Sequence, residues 1–288
     1  MPERVKRNER LAAMGRILTG SPNRIFTLSQ FGDLFASAKS TVSEDILILS
    51  ELFSEWGLGQ VSTVSGAAGG VRFRPIPDPQ RAREELERLS KRLCEPGRLL
   101  PGGYLYISDV ICDPEAVDFM SAVIARDYYD SGVDFVLTME TKGIPLAMTT
   151  AQKLCVPLVI ARRDSRVYEG SAVKISYASG AEGDKIETMA LSRRAVKEGQ
   201  RALIVDDFMK AGGTLKGMCD LMDEFNVTVV GVCVAIGTTQ PEKKALNGVR
   251  ALMEVGSLSP DGAHVYPTPW ALGEKTENTK QNQLEETK

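Results

Sequence analysis

Asp206 and Asp207 form a pair of adjacent carboxylates just ahead of Gly212, Gly213 and Thr214. Ionised carboxylates only accept hydrogen bonds, so the pair suits the vicinal hydroxyls of a sugar. The loop after it suits a phosphate. The amides of Ala211, Gly212 and Gly213, with the Thr214 hydroxyl, would surround an anion at the positive end of a helix dipole. Glycine matters there because a side chain would hold the anion away from the backbone donors. Phe208, Met209 and Lys210 complete the connection. The G-x-x-x-x-G-K-[ST] spacing of a Walker loop is absent.

A second loop has the same character. Thr141, Lys142 and Gly143 follow the apolar run 133–139 and precede a helical stretch. They would hold another phosphate group, with Lys142 as a point charge. Two such loops at neighbouring strand ends, with one carboxylate pair, match a ribose that carries phosphate groups at both ends. Mg2+ is expected to accompany such a ligand near Asp206 and Asp207, because it prefers oxygen ligands and phosphate chains. No protein-built metal cage is expected, and no catalytic residue is assigned. Arg162, Arg163, Arg166 and Lys174 would either close over the site or remain solvated loop charges, the second being favoured for Arg166.

The elements that must position these loops alternate between strand and helix. Apolar runs at 133–139, 156–161, 202–205 and 227–236 predict buried parallel strands, with 202–205 ending at the carboxylates. Helices are predicted at 144–154 and at 215–225, the latter from the spacing of Leu215, Met218, Leu221, Met222 and Phe225. Such α/β sheets bind ligands outside the carboxyl ends of their strands. Residues 173–192 predict an inserted antiparallel hairpin. Residues 80–94 predict an amphipathic helix with Leu86, Leu89 and Leu93 inward, after the stiff linker Pro75-Ile-Pro-Asp-Pro. The last residues, 273–288, are polar and expected to be disordered.

The first 74 residues have another pattern. Leu11, Met14 and Leu18 share a helical face, a short second helix is predicted at 29–35, and Thr41 with Glu44 suggests a capping box that opens a third. The third helix would bury Val42, Ile46, Leu49, Phe53 and Trp56, and its amino-terminal end would expose Lys39, Ser40, Thr41 and Ser43. Two strands, 60–64 and 71–74, joined by Ser65-Gly-Ala-Ala-Gly-Gly, follow. Three helices and a hairpin predict a winged helix, in which the third helix enters the major groove and the wing follows the phosphate backbone. Lys39, Arg72 and Arg74 would then contact phosphates. A small helical dimerisation module is the alternative.

Net charge is −3, yet residues 1–74 hold nine Lys/Arg against seven Asp/Glu, while the remainder holds 26 against 31. The sign of this asymmetry suits an amino-terminal module that meets a polyanion. The longest apolar run, 227–236, is too short to cross a bilayer, and residues 1–10 have no signal-peptide core, so a cytoplasmic protein without membrane contact is expected. Five cysteines, at 94, 112, 155, 219 and 233, form no C-x-x-C pair, which speaks for a reducing compartment and against structural zinc. The single histidine, His264, excludes a His-rich metal site.

The ordered acid pair and glycine loop are similar to the signature of phosphoribosyltransferases, which bind 5-phosphoribosyl-1-pyrophosphate (PRPP). The combination of 38–45, Ser65-Gly-Ala-Ala-Gly-Gly-Val, Leu100-Pro-Gly-Gly-Tyr, Thr141-Lys-Gly-Ile-Pro and Val205-Asp-Asp-Phe-Met-Lys-Ala-Gly-Gly-Thr more closely resembles the purine operon repressors of Gram-positive bacteria, over residues 5–272. The chain departs from that family at Ser65, where proline is usual, and in its polar tail. The resemblance implies a winged-helix DNA-binding domain at 1–74, a type I phosphoribosyltransferase-like α/β domain at 75–272 and a tail at 273–288. It also implies a homodimer that represses purine biosynthesis operons by binding double-stranded DNA and is released by PRPP. In it Asp206 and Asp207 hold the ribose hydroxyls, 210–214 the 5′-phosphate and 141–143 the pyrophosphate, while Tyr104 would be either an aromatic contact for the ligand or a sheet-edge tyrosine. The rival expectations are a purine phosphoribosyltransferase and a bifunctional protein.

Overall fold

A computed structural model describes residues 5–66, 69–101, 104–164, 170–179, 185–259 and 262–274. Contacts divide the chain into two units, Met1–Asp78 with Gln152–Cys155, and Pro79–Ala151 with Val156–Lys288. No helix among the described residues is long and apolar enough to cross a membrane.

The first unit contains α1 (Arg7–Gly20), α2 (Leu28–Phe35), α3 (Lys39–Glu55) and an antiparallel hairpin of β1 (Gln60–Val64) and β2 (Gly70–Arg74). Phe26 adds a short third rung by bridging Val71. Met14, Leu18, Phe31, Val42, Ile46, Leu49, Phe53 and Phe73 form its core, with Phe53 and Phe73 edge to face at 5.4 Å. This is the winged-helix arrangement expected. Arg10 is buried among these helices because its Nε donates to Asp45 Oδ2 at 2.6 Å, which joins α1 to α3 across the core.

Two local expectations fail here. The helix α3 begins at Lys39 behind Ala38, whose extended backbone makes it the cap, so Thr41 lies inside the first turn and caps nothing. The reciprocal box belongs instead to α2, where Thr27 Oγ1 accepts from Gln30 N and Gln30 Oε1 accepts from Thr27 N. Trp56 is not core. It ends α3 as the C-cap, where the backbone leaves the helical path, and its side chain is 71% exposed.

The second unit opens with α4 (Pro79–Leu93), β3 (Leu99–Leu100), β4 (Tyr104–Leu105), α5 (Ser108–Ile111) and α6 (Pro114–Arg126). Asp113 caps α6 by accepting from the Glu115 and Ala116 amides, with Pro114 at the first helical position. Then follow β5 (Phe135–Met139), α7 (Ile144–Leu154), β6 (Leu158–Ala161), the hairpin β7 (Ala172–Ser179) and β8 (Lys185–Ser192), β9 (Arg201–Met209), α8 (Gly213–Asp223), β10 (Thr228–Thr238), β11 (Arg250–Ser259) and β12 (Gly262–Pro267). Six strands form one sheet in the order β12-β11-β10-β9-β5-β6. All neighbours are parallel except β11 and β12, so an antiparallel edge strand corrects the expectation of a wholly parallel sheet. The predicted 173–192 hairpin is present and packs on α8, where Gly217 leaves room for Tyr177 and Met189. Arg166, the hairpin tip and nearly all of the polar tail lie outside the described residues.

Candidate functional site

The sheet order places the site. From β5 the chain passes through α7 to β6 on one side, whereas β9 pairs with β5 on the other. The strand order therefore reverses between β5 and β9, which opens a crevice at their carboxyl ends. The two predicted phosphate loops leave these two strands. The apolar run ends at the acid pair as predicted, but the strand β9 does not. The ladder with β10 continues through Asp206, opposite Val234, to Met209, opposite Gly237, so both carboxylates stand on rigid strand.

Gly143 opens the way for this convergence. A β-carbon built there would overlap Asp206 Oδ1 and Thr138 Oγ1, so the 141–143 loop lies directly on the acid pair. Glu140 braces the loop from the other side, accepting from the Arg163 amide at 2.9 Å and pairing with Arg162 at 3.5 Å. Arg162 is thus tied to the base of the loop.

The two carboxylates are not equivalent. Asp206 is buried, and burial followed by the charge of Asp207 pushes its pKa well above the ordinary range. Asp207 is half-buried and also raised by burial, but its bond with Asp206 and the Lys142 ammonium pull it back. Asp206 therefore holds its proton more tightly, and Asp207 is the one that lines the open cleft. That cleft of about 320 Å³ also meets Lys142, Phe208, Lys210 and the apolar side chains of Ile107, Val255 and Leu258.

A neighbouring cleft of about 460 Å³ is walled by 208–215. Gly212 caps α8 at φ 85, a conformation open to glycine, and no side chain satisfies the first amides of the helix. Thr214 bonds the Tyr177 hydroxyl, which also donates to Glu187 at 2.9 Å. Ser179 and Lys185 of the hairpin line this cleft too. Sequence reasoning found the hairpin but not its place opposite the loop, since only the packing of Tyr177 on Gly217 reveals it. Tyr104 touches both clefts and is 70% exposed. Its short arm, β3 and β4, is anchored by a charged network in which Arg98 holds Asp109 with two bonds of 2.7 and 2.8 Å, and Arg92 joins Asp109 to Asp113. Arg98 first, then Arg92, holds the Asp109 carboxyl down to about 2.

In the first unit, Lys39, Ser40 and Ser43 are exposed at the start of α3, and Thr41 is half-buried. Ser40 and Ser43 face an open groove of about 930 Å³ whose far wall includes Ser62 and Thr63 of β1. Arg72 is half-buried on the hairpin. Arg74 is a correction: its side chain is 9% exposed and its Nε donates to Asn23 Oδ1 at 3.0 Å, so it is structural and does not lie along the wing surface.

Comparison with known proteins agrees with this architecture. The family described as bacterial purine repressor, N-terminal, matches residues 6–75, and the phosphoribosyl transferase domain matches 114–262. The probable purine biosynthesis transcriptional regulator PurR of Streptococcus pneumoniae serotype 4 is 41% identical over 255 residues, 88% of this chain and 93% of that protein. The purine biosynthesis transcriptional repressor PurR of Bacillus subtilis is 39% identical over 88% of this chain and 89% of its own length. A relative in Lactococcus lactis subsp. lactis, 38% identical over 88% of this chain and 93% of its own length, is named a transcriptional activator. The adenine phosphoribosyltransferase of Thermoanaerobacter pseudethanolicus shares the fold of 59% of this chain and 99% of its own, with a TM-score of 0.51 at 22% identity. A winged amino-terminal unit joined to a phosphoribosyl transferase domain, with such identity over 88% of the chain, places this protein in the bacterial purine repressor family.

Proposed function

We propose that this protein is a transcriptional repressor of purine biosynthesis genes that binds double-stranded DNA through its first unit and is released by PRPP bound in the second. The observation that carries this is the meeting of two phosphate loops and an acid pair at the switch point of a sheet, in a chain that also bears a winged helix. Asp207, assisted by Asp206, would accept from the ribose hydroxyls, the 210–214 loop would hold the 5′-phosphate and the 141–143 loop the pyrophosphate. Among the described residues no group of three or more His, Cys, Asp or Glu is placed to hold a metal. The acid pair fits Mg2+ only when ligand oxygens complete the shell, so the cation would arrive with PRPP. It would neutralise phosphate charge beside the carboxylates.

The chain is proposed to act as a homodimer and as a binder, not a transferase. PRPP and DNA are both polyanions, and a ligand switches the protein only through different affinities for the two states. Direct electrostatic competition is the simplest form of that coupling. It requires PRPP to weaken specific and non-specific DNA binding alike. The intact acid pair and loops favour one second reading, a retained transferase activity.

Titration of a purine biosynthesis control region with the protein, at fixed salt and Mg2+, followed by PRPP, tests the proposal. DNA binding relieved by PRPP supports it. Stimulation of transcription by the bound protein, as the Lactococcus name describes, would reverse the sign. Sustained pyrophosphate release from PRPP with a purine base would make the protein an enzyme.

A further inference from the structure

The loop assigned to the 5′-phosphate is held from behind by a segment with no role so far. After β10 the chain runs through 239–249 before β11 begins, and it returns beneath 210–212. The Ala245 amide donates to the Ala211 carbonyl at 2.8 Å. The Lys244 ammonium donates to the Lys210 carbonyl at 2.6 Å and to Thr238 Oγ1 at 3.2 Å. Leu246 packs against the core of the sheet, and its amide lies 3.5 Å from where a β-carbon of Gly212 would stand. Lys244 is half-buried, lines neither cleft, and is kept from water enough that its pKa falls below the ordinary lysine value.

Peptide geometry gives these bonds a consequence. In a planar trans peptide the carbonyl of one residue and the amide of the next point in opposite directions. Fixing the Lys210 and Ala211 carbonyls onto 244–245 therefore turns the Ala211 and Gly212 amides away from that segment. The α8 cap has no side-chain acceptor, so these donors and the first amides of the helix are left for an anion. The ammonium behind the loop also supplies positive charge without occupying the place of the ligand.

We propose that Lys244 is a positioning residue of the PRPP site, which orients the 5′-phosphate loop by holding the Lys210 carbonyl. It rests on the assignment of that loop to the 5′-phosphate. Without Lys244 the Lys210 carbonyl keeps only a long bond of 3.4 Å from Thr238 Oγ1, so the Lys210–Ala211 peptide is less firmly held and must be ordered further at the moment of binding. The loss falls on ligands that carry a 5′-phosphate and spares those held only by 141–143.

Calorimetric titration of the full-length protein with ribose 5-phosphate, PRPP and inorganic pyrophosphate tests this. Lys244→Met is expected to weaken ribose 5-phosphate and PRPP about tenfold and to leave pyrophosphate unchanged. Lys244→Arg, which keeps charge and donor, should restore most of the affinity. Lys243→Met removes the same charge from the exposed neighbour and should change nothing. Should Lys244→Met fail to fold, Lys244→Gln takes its place with the same selective loss expected. Ribose 5-phosphate affinity within twofold of wild type in the Lys244 variant overturns the proposal, as does an equal loss in the Lys243 variant. A wild-type protein that takes up neither ribose 5-phosphate nor PRPP overturns the effector assignment itself, and this inference with it.

Discussion

Gly143 lies directly against Asp206: a β-carbon on residue 143 would overlap Asp206 Oδ1. Asp206 cannot retreat, because it is bound into β9 opposite Val234. Gly143→Ala must therefore lift the 141–143 loop off the acid pair, at a cost of roughly 1–3 kcal/mol for overpacking. The 141–143 loop, proposed to hold the pyrophosphate, would then be displaced from Asp206 and Asp207. We expect PRPP affinity to fall at least tenfold while DNA binding without PRPP is unchanged. A titration showing normal PRPP release by this variant would dissociate the loop from the effector site.

The acid pair sets stability against ligand binding. A carboxyl whose pKa is raised by folding holds its proton more tightly in the folded chain than in the unfolded one. Its contribution to stability is present below the unfolded value and is lost as pH rises through the folded value. Asp206 is such a group, raised chiefly by burial. At pH 7, Asp206→Asn removes that penalty, and the ligand-free protein should melt a few degrees higher, for about 1 kcal/mol of relief. Its PRPP response should be lost. Unchanged melting at pH 7 and at pH 5 would show that Asp206 carries no such penalty.

Asp109 has the opposite sign. Its carboxyl is depressed to about 2 by Arg98 and Arg92, so its contribution is present above the unfolded value and fades as pH falls through the folded one. Asp109→Asn weakens charge-assisted bonds that tie the β3–β4 arm to α5, with an expected loss of roughly 1–2 kcal/mol. Both phosphate loops stand elsewhere but Tyr104 on this arm meets both clefts, so PRPP affinity should fall by only a few-fold. Faster proteolysis within 95–106 at pH 7 would report the loosened arm, and wild-type resistance there would count against its anchoring role.

The site was legible in the sequence wherever its chemistry lay in contiguous residues. The acid pair, the 211–214 loop and the 141–143 loop all stand at adjoining strand ends as their order implied. Positions that depend on distant partners were not legible. Arg10 looks like a surface residue of α1 until Asp45, 35 residues later, is brought against it. Arg74 reads as a wing cation until Asn23 accepts from it. The end of β9 was misread because apolar side chains report burial, whereas backbone pairing with β10 carries the strand on through polar residues. The α6 start, by contrast, was written plainly in Asp113-Pro114 and was overlooked.

The two arginines of β2 give a test of the DNA surface that separates contact from scaffold. Each lysine or arginine that neutralises a DNA phosphate adds about one to the slope of log affinity against log salt concentration. Lys39 is exposed at the first turn of α3, where a cation also opposes the helix dipole. Lys39→Ala should therefore reduce the slope by about one, weaken specific and non-specific DNA equally, and leave melting unchanged or slightly raised. Arg72→Ala is expected to lower the slope in the same way. Arg74→Ala leaves Asn23 Oδ1 without that donor inside the fold, so it should lower the melting temperature of the first unit and keep the salt slope of the protein that remains folded. A reduced slope in folded Arg74→Ala would return that residue to the DNA surface, and an unaltered slope in Lys39→Ala would remove the start of α3 from it.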